Sequence, residues 1–183
     1  MNIKMMLMAL SIVILTSSCT AISPTIRTNV NQSTDFSQYK TFGFLQQLDT
    51  DYSYESLVSQ YLKDATKKEM VKQGYVFTDK NPDFLINFHS NIEDKQRIYQ
   101  VPASYNRSYY SYRGRTYYDT WDGYETYVEN YTEGTLNIDI VDRKQNKMVW
   151  EGIAIGRLSE QDLNDLQPAL QKTVAEIFSK FPL

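Results

Sequence analysis

Apolar and polar residues alternate over most of the stretch from Phe84 to Ile92, and this pattern commits the middle of the 183-residue chain to a β-sheet with one buried face. Large apolar residues hold one side of the strand, and polar residues hold three of the four positions on the other. The two sides are Phe84, Ile86, Phe88 and Ile92, against Leu85, Asn87, His89 and Asn91. The second side is therefore expected to face solvent or a polar partner.

Two later strands are predicted to form an antiparallel hairpin. In the strand Glu133–Val141, leucine and isoleucine alternate with Asn137 and Asp139. The strand Met148–Gly156 follows after the polar residues 142–147, which form a connection of hairpin length. Shorter strands are predicted at 26–31, 41–45 and 75–77.

Helical spacing of apolar residues predicts two amphipathic helices. The first spans Ser53–Gln73 and ends at Gly74, where a positive φ costs glycine nothing. The second spans Asp165–Lys180, after a turn at Glu160–Asn164. The order ββαββ, insertion, ββα predicts an α+β fold, with an antiparallel sheet and both helices packed on one face as a two-layer sandwich.

Residues 1–18 have the order of a secretory signal peptide that ends just before Cys19. Residues 1–4 carry one lysine, residues 5–15 are apolar apart from Ser11, and small polar residues lead to Cys19, the only cysteine. The apolar run is too short to span a bilayer core, which needs about 20 residues. A lone cysteine can be a buried small side chain, a reactive thiol or an attachment point, and its position here favours attachment.

The junction Leu15-Thr-Ser-Ser-Cys19 resembles the lipobox of bacterial lipoproteins, although Thr16 stands where that family has leucine. The resemblance implies cleavage after residue 18, acyl chains such as palmitate on Cys19, and a lipidated tether over residues 19–24. Residues 25–183 would then form a single α+β domain. Thr20, in place of aspartate, implies delivery to the outer membrane, facing the periplasm, by resemblance to the sorting rule of Gram-negative lipoproteins.

Four further segments resemble a family of bacterial lipoproteins known as domain of unknown function 4136. They are residues 35–42 (DFSQYKTF), 81–89 (NPDFLINFH), 133–142 (EGTLNIDIVD) with 149–152 (VWEG), and 177–182 (IFSKFP). The similarity covers nearly the whole chain after the leader, in order. It implies an envelope-anchored protein and brings no assigned activity, cofactor or site residue.

Composition and motifs argue against nucleic-acid binding and against most enzyme classes. Loss of the leader with Lys4 changes the formal net charge from −3 to −4, whereas proteins that bind phosphate backbones normally show a basic surplus. The motifs GxSxG and HExxH and phosphate-binding glycine loops are absent. His89 and Asp139 could share one face, with Glu151 on either face, and such a set could bind zinc or do acid–base chemistry. We expect a solvated polar face instead, with no catalytic residue, metal or cofactor.

A tyrosine-rich insertion over residues 99–131 holds ten of the 15 tyrosines. Tyrosine, tryptophan and arginine are the residues that anchor recognition surfaces. We predict a binding surface formed by Tyr109, Tyr110, Tyr112, Arg113, Arg115, Tyr117, Tyr118 and Trp121. The alternatives are a hairpin extension whose tyrosines cover the sheet and a low-complexity insertion.

Three functions remain open at this point. The favoured one is a non-enzymatic outer-membrane lipoprotein that contributes to envelope structure or docks a partner protein through the insertion. The second is a periplasmic module that binds glycan or peptidoglycan by stacking sugars on Trp121 and the tyrosines. The third and least favoured is a small metal-dependent enzyme on the face that carries His89.

Overall fold

The computed structural model describes residues 23–182, except for the side chains of residues 105–112 and 115–121. The predicted signal peptide and Cys19 lie outside the described residues. The strands are β1 Thr25–Val30, β2 Thr41–Phe44, β3 Val76–Phe77, β4 Phe84–Tyr112, β5 Arg115–Asp142 and β6 Lys147–Leu158. The α-helices are α1 Leu57–Lys72, α2 Glu160–Asn164 and α3 Leu166–Phe178. These elements confirm the predicted α+β class.

The six strands form one mixed sheet in the order β1-β6-β5-β4-β2-β3. Strand β2 runs parallel to both β3 and β4, whereas the other neighbours pair antiparallel. The prediction of a purely antiparallel sheet is therefore wrong. The physical reason is that α1 carries the chain from the end of β2 back towards its start, so the next strand enters in the same direction.

Both helical regions differ in part from the prediction. Helix α1 begins at Leu57, four residues after the predicted start at Ser53, and Ser56 caps its first turn. Gly74 follows its end with a φ of 91°, as predicted. Residues 160–164, predicted as a turn, form the short helix α2. In its capping box, Ser159 Oγ accepts from the Asp162 amide at 3.2 Å, and Asp162 Oδ2 accepts from the Ser159 amide at 2.9 Å. The predicted element order is therefore not matched.

One hydrophobic core lies between the sheet and the helices. Its buried side chains include Phe42, Phe84, Ile86, Phe88, Leu136, Ile138, Ile140 and Trp150 from the sheet, and Leu62, Met70, Val174, Ile177 and Phe178 from the helices. The buried sides predicted for β4 and β5 are confirmed, except that Ile92 is 54% exposed. The opposite side of the sheet, here called the outer face, carries Asn87, His89, Asn137 and Asp139. None of the described helices is both long and apolar enough to cross a lipid bilayer.

The predicted tyrosine-rich insertion is not a separate element, because β4 and β5 continue through it as one long hairpin. Their antiparallel pairing extends to Tyr112, opposite Arg115, with a β-bulge between Ser108 and Tyr110. The polar composition of the segment hid this continuity, since strand alternation is clear in the sequence only over part of it.

Beyond the sheet, β4 and β5 form an isolated two-stranded ribbon. Strand β6 ends at Leu158, opposite Thr132, so residues 95–131 of the described chain pair only with each other. We call residues 95–131 the ribbon; each of its strands has about 18 residues and extends for about 60 Å. Arg113 and Gly114 close it with φ values of 53° and 73°, as in a type I′ turn.

Candidate functional site

The described part of the ribbon exposes apolar side chains on the side that continues the core face. Ile98 lies opposite Val128, and these side chains are 67% and 55% exposed. Tyr124, opposite Pro102, is 70% exposed. Adjoining exposed apolar side chains are typical of an interaction surface.

An apolar groove lies at the root of the ribbon on the same side. It has a volume of about 170 Å³ and is lined by Ile92, Leu158, Leu166 and Leu170, with Pro24 also in its wall. The groove therefore adjoins the apolar side of the ribbon and the beginning of the described chain.

The opposite side of the ribbon carries charges and stacked rings. The rings of Tyr99 and Tyr127 stack with centroids 5.8 Å apart, and the Arg97 guanidinium lies 6.0 Å from the Tyr99 ring. The Arg157 guanidinium donates two hydrogen bonds to Glu129, which lower the pKa of that carboxyl. Cross-strand pairs contribute about 0.2–1 kcal/mol each. The two sides of the ribbon therefore differ in chemistry.

All eight residues of the predicted binding surface lie in the distal half of the ribbon. Three belong to β4, Arg113 belongs to the turn, and four belong to β5. Arg113 is exposed, and the other seven side chains lie outside the described ones. The backbone thus brings the set to one end of a single hairpin, and its role in binding stays a prediction.

On the outer face of the sheet, His89 lies between two carboxylates. His89 Nε2 is 2.9 Å from Asp49 Oδ2 and 3.2 Å from Asp139 Oδ2. Asn87 donates to Asp49 Oδ2 at 2.5 Å and accepts from the Asp49 amide at 3.2 Å. The predicted shared face of His89 and Asp139 is confirmed. Asp49 was not predicted, because no pattern in the sequence indicates where the loop after β2 lies.

Glu151 lies on the same face, a point that the sequence left open. In the strand register, Asn29, Glu151, Asp139 and Asn87 form one row across β1, β6, β5 and β4. Glu151 accepts hydrogen bonds from Asn29 Nδ2 at 2.7 Å and from Asn137 Nδ2 at 3.4 Å. Two carboxylates stand directly opposite each other in this row, an arrangement that is destabilising when both are charged.

Asp139 is the most buried member of the row. Its side chain is 7% exposed, and Oδ1 has no hydrogen-bond partner among the described residues. Burial raises the pKa of Asp139; contact with His89 opposes the rise, and the carboxylates of Glu151 and Asp49 add to it. Asp139 therefore holds its proton more tightly than an ordinary aspartate.

The chemistry available to this cluster is proton exchange and the acceptance of hydrogen bonds. An open concavity of about 620 Å³ is lined by His89, Asn137, Asp139, Met148 and Glu151, together with three small polar residues. Within residues 23–182, no three His, Cys, Asp or Glu side chains are arranged to hold a metal ion. Perturbed carboxyl groups in concavities occur at functional sites and also in structural ion-pair networks.

A family model matches almost the whole described chain. Residues 26–183 match the model described as Domain of unknown function (DUF4136). The chain belongs to the DUF4136 family. The match confirms the resemblance of the four sequence segments, and the lipid anchor and the envelope location stay predictions.

Three of the solved structures similar to this DUF4136 protein are 15% identical to it or less. A PDZ domain protein from Parabacteroides distasonis ATCC 8503 matches 90% of this chain at 15% identity and a TM-score of 0.56, and this chain spans 38% of that one. PelC dodecamers from Paraburkholderia phytofirmans in two crystal forms match 85% of this chain and 95% of theirs, at 9% and 8% identity and a TM-score of 0.47. A comparison with curated proteins finds no match.

Proposed function

We propose that this DUF4136 protein is a non-enzymatic, lipid-anchored protein of the outer membrane whose ribbon docks onto another component of the cell envelope. The observation that carries the proposal is the extension of β4 and β5 beyond the sheet, with Ile98, Tyr124 and Val128 exposed on one side. None of the described side chains of the ribbon is buried in the core, so stability of the domain gives no reason for such an extension.

The edges of the ribbon support specific docking. Both edges lack a neighbouring strand over the described backbone, and open edges offer hydrogen-bonding groups to a partner or to aggregation. Charged side chains along the ribbon and Pro102, which has no amide proton to donate, oppose indiscriminate strand pairing. The charged residues near the root are Lys95, Arg97, Glu125 and Glu129.

The proposed attachment point is Cys19, six residues before the first residue of β1. Each CH₂ of an acyl chain contributes about 0.8 kcal/mol to membrane binding, and two or three chains give a stable anchor. The proposal therefore places the folded domain close to a membrane surface.

The outer-face cluster gives weaker support for an enzyme. His89 already contacts Asp49 and Asp139, and Asp49 is held by two hydrogen bonds with Asn87. Polar side chains that satisfy one another in this way are typical of a structural polar face.

The anchor is tested by the intact mass of the amino-terminal peptide from membrane-extracted protein, beside a Cys19→Ala variant. The expected peptide begins at Cys19 and carries a diacylglyceryl group, which the variant lacks. An unmodified peptide with another start would remove the anchor from the proposal.

Docking is tested by crosslinking in cells with a short-ribbon variant, in which Gly-Ser-Gly-Ser replaces residues 105–121. The expected result is an envelope component that crosslinks to the intact protein and not to the variant. Alanine at Tyr52 and Tyr54, which are exposed outside the ribbon, should leave the crosslink in place. Identical crosslinked products from the intact and short-ribbon proteins would contradict docking through the ribbon.

A further inference from the structure

The chain enters the sheet at the end from which the ribbon leaves. Strand β1 runs antiparallel to β6 and pairs Thr25 with Ile155, three residues before the end of β6. Pro24 lies against Gly156, where an added Cβ would stand 3.0 Å from the proline Cβ. The segment that leads back to Cys19 therefore leaves the domain at the root of the ribbon.

The lengths of the tether, the sheet and the ribbon restrict how the anchored domain can stand. Five residues separate Cys19 from Thr25, and the six Cα–Cα steps between them span at most about 20 Å. The ribbon extends for about 60 Å, and β6, which runs along the sheet and ends at the root of the ribbon with Leu158, extends for about 40 Å. The ribbon cannot stand upright between the domain and the membrane, because the tether is too short. It cannot point away from the membrane either. The sheet, which is longer than the tether, would then lie between the root of the ribbon and the membrane.

The composition of the distal half suits the interface between lipid and water. Residues 105–121 contain six tyrosines, one tryptophan, three arginines and one aspartate, and no Leu, Ile, Val, Phe or Met. Tyrosine and tryptophan concentrate at the level of the headgroups, and aliphatic residues are what the hydrocarbon core would require. Three positive charges and one negative charge, in a chain with a net charge of −3, favour an anionic surface.

We propose that the ribbon lies along the membrane surface at the level of the headgroups, so that the component docked by the ribbon is an anionic lipid bilayer. This inference rests on the proposed lipid anchor at Cys19. The apolar side chains of Ile98, Val128 and Tyr124 extend the contact towards the root, where the groove adjoins them.

The test uses the intrinsic fluorescence of the anchored protein in vesicles of phosphatidylethanolamine and phosphatidylglycerol. The chain has two tryptophans, and Trp150 is 1% exposed in the core, so quenching by lipids brominated near the headgroup reports on Trp121. We expect a loss of Trp121 emission of about twofold, and a much smaller loss with lipids brominated at the chain ends. Trp121→Phe supplies the background of Trp150.

A matched pair of charge variants completes the test. Glutamine at Arg107, Arg113 and Arg115 should abolish the quenching, whereas glutamine at the exposed residues Lys68, Lys144 and Lys180 should leave it unchanged. Equal quenching in both triple variants would overturn the role of the ribbon charges.

The intact mass of the same sample separates the two proposals. Acylated protein without headgroup quenching overturns the membrane contact and leaves the anchor, in which case a protein partner becomes the crosslinking target. Protein without acyl chains that is quenched on addition of vesicles overturns the anchor and supports the contact. Protein that carries no acyl chains and shows no quenching overturns both the anchor and the membrane contact.

Discussion

Asp83 and Asp139 are two aspartates of the sheet whose surroundings shift their pKa values in opposite directions. Asp83 Oδ2 accepts hydrogen bonds from the amides of Lys40 and Thr41 and from Thr41 Oγ1, each at 2.9 Å, and the Lys40 amide contributes most to lowering the pKa of Asp83. Burial raises the pKa of Asp139, which is next to further carboxylates. The contributions of the two carboxyl groups to the free energy of unfolding should therefore change with pH in opposite directions.

Asp83→Asn should destabilise the protein at pH 7 by about 1–3 kcal/mol, because the charge-assisted hydrogen bonds to β2 are weakened. Because its pKa is lowered, ionised Asp83 stabilises the fold above the unfolded pKa of about 4. This stabilisation is lost as the pH falls through the folded pKa. Urea unfolding at several pH values should show the difference from the natural protein shrinking below about pH 4. A difference that is constant with pH would contradict this role of the carboxylate.

Asp139→Asn should stabilise the protein at pH 7, on the order of 1 kcal/mol, because it removes a buried charge opposite Glu151. Because its pKa is raised, protonated Asp139 stabilises the fold below the unfolded pKa of about 4. This stabilisation is lost as the pH rises through the folded pKa. The same urea series should therefore show no gain at acid pH and an increasing gain towards neutrality. Destabilisation at pH 7 would mean that the contact with His89 outweighs the burial of the carboxylate.

At the scale of elements, helix α3 approaches β6 closely at Gly152. A Cβ at this position would lie 2.4 Å from Ile177 Cγ2 and 2.4 Å from the Trp150 ring. Gly152→Ala should therefore cost about 1–3 kcal/mol in the free energy of unfolding, measured in urea. At Gly134 the nearest atom is the flexible tip of Leu158, at 3.0 Å, so Gly134→Ala is the milder control. Equal costs would show that α3 can move away from β6.

The turn of the ribbon can be disturbed separately from the core. Gly114 has a φ of 73°, so Gly114→Val should strain the type I′ turn by about 1–3 kcal/mol and disorder the tip of the ribbon. Because no described ribbon residue belongs to the core, the melting temperature should stay the same, while the NMR signals of the ribbon amides lose their chemical-shift dispersion. Gly74→Val should strain the chain after α1, where φ is 91°. It should therefore lower the melting temperature and leave the NMR signals of the ribbon unchanged.

Sequence patterns predicted the elements that bury one face and missed the features that depend on pairing. The alternation of Phe84, Ile86 and Phe88 assigns both faces of β4, and this was enough to place His89 and Asp139 together. The face of Glu151 depends on the register between β5 and β6, which includes a bulge after Ile140. Local patterns do not contain the parallel pairing of β2, which follows from the path of the chain through α1. They do not contain the position of Asp49 either, which follows from the path of the loop after β2.

At the scale of the whole molecule, the ribbon should be separable from the stability of the domain. The short-ribbon variant removes residues that pair only with each other, so its melting temperature and the cooperativity of its unfolding should match those of the intact protein. Calorimetry on both proteins checks this. A large drop in melting temperature would mean that the distal ribbon contacts the core.

The isolation of the ribbon also determines how its amides meet the solvent. In a two-stranded antiparallel pair, every second amide proton points to the partner strand and the others point outward. Strand β5 has two neighbours from Thr132 onward and one neighbour before it. Deuterium uptake along this one strand should therefore change at Thr132, from fast and slow residues in alternation to slow residues throughout. Contact with a lipid surface leaves the outward amides without strand partners and preserves the alternation, whereas a partner that added a strand to the ribbon would slow exchange at the outward amides.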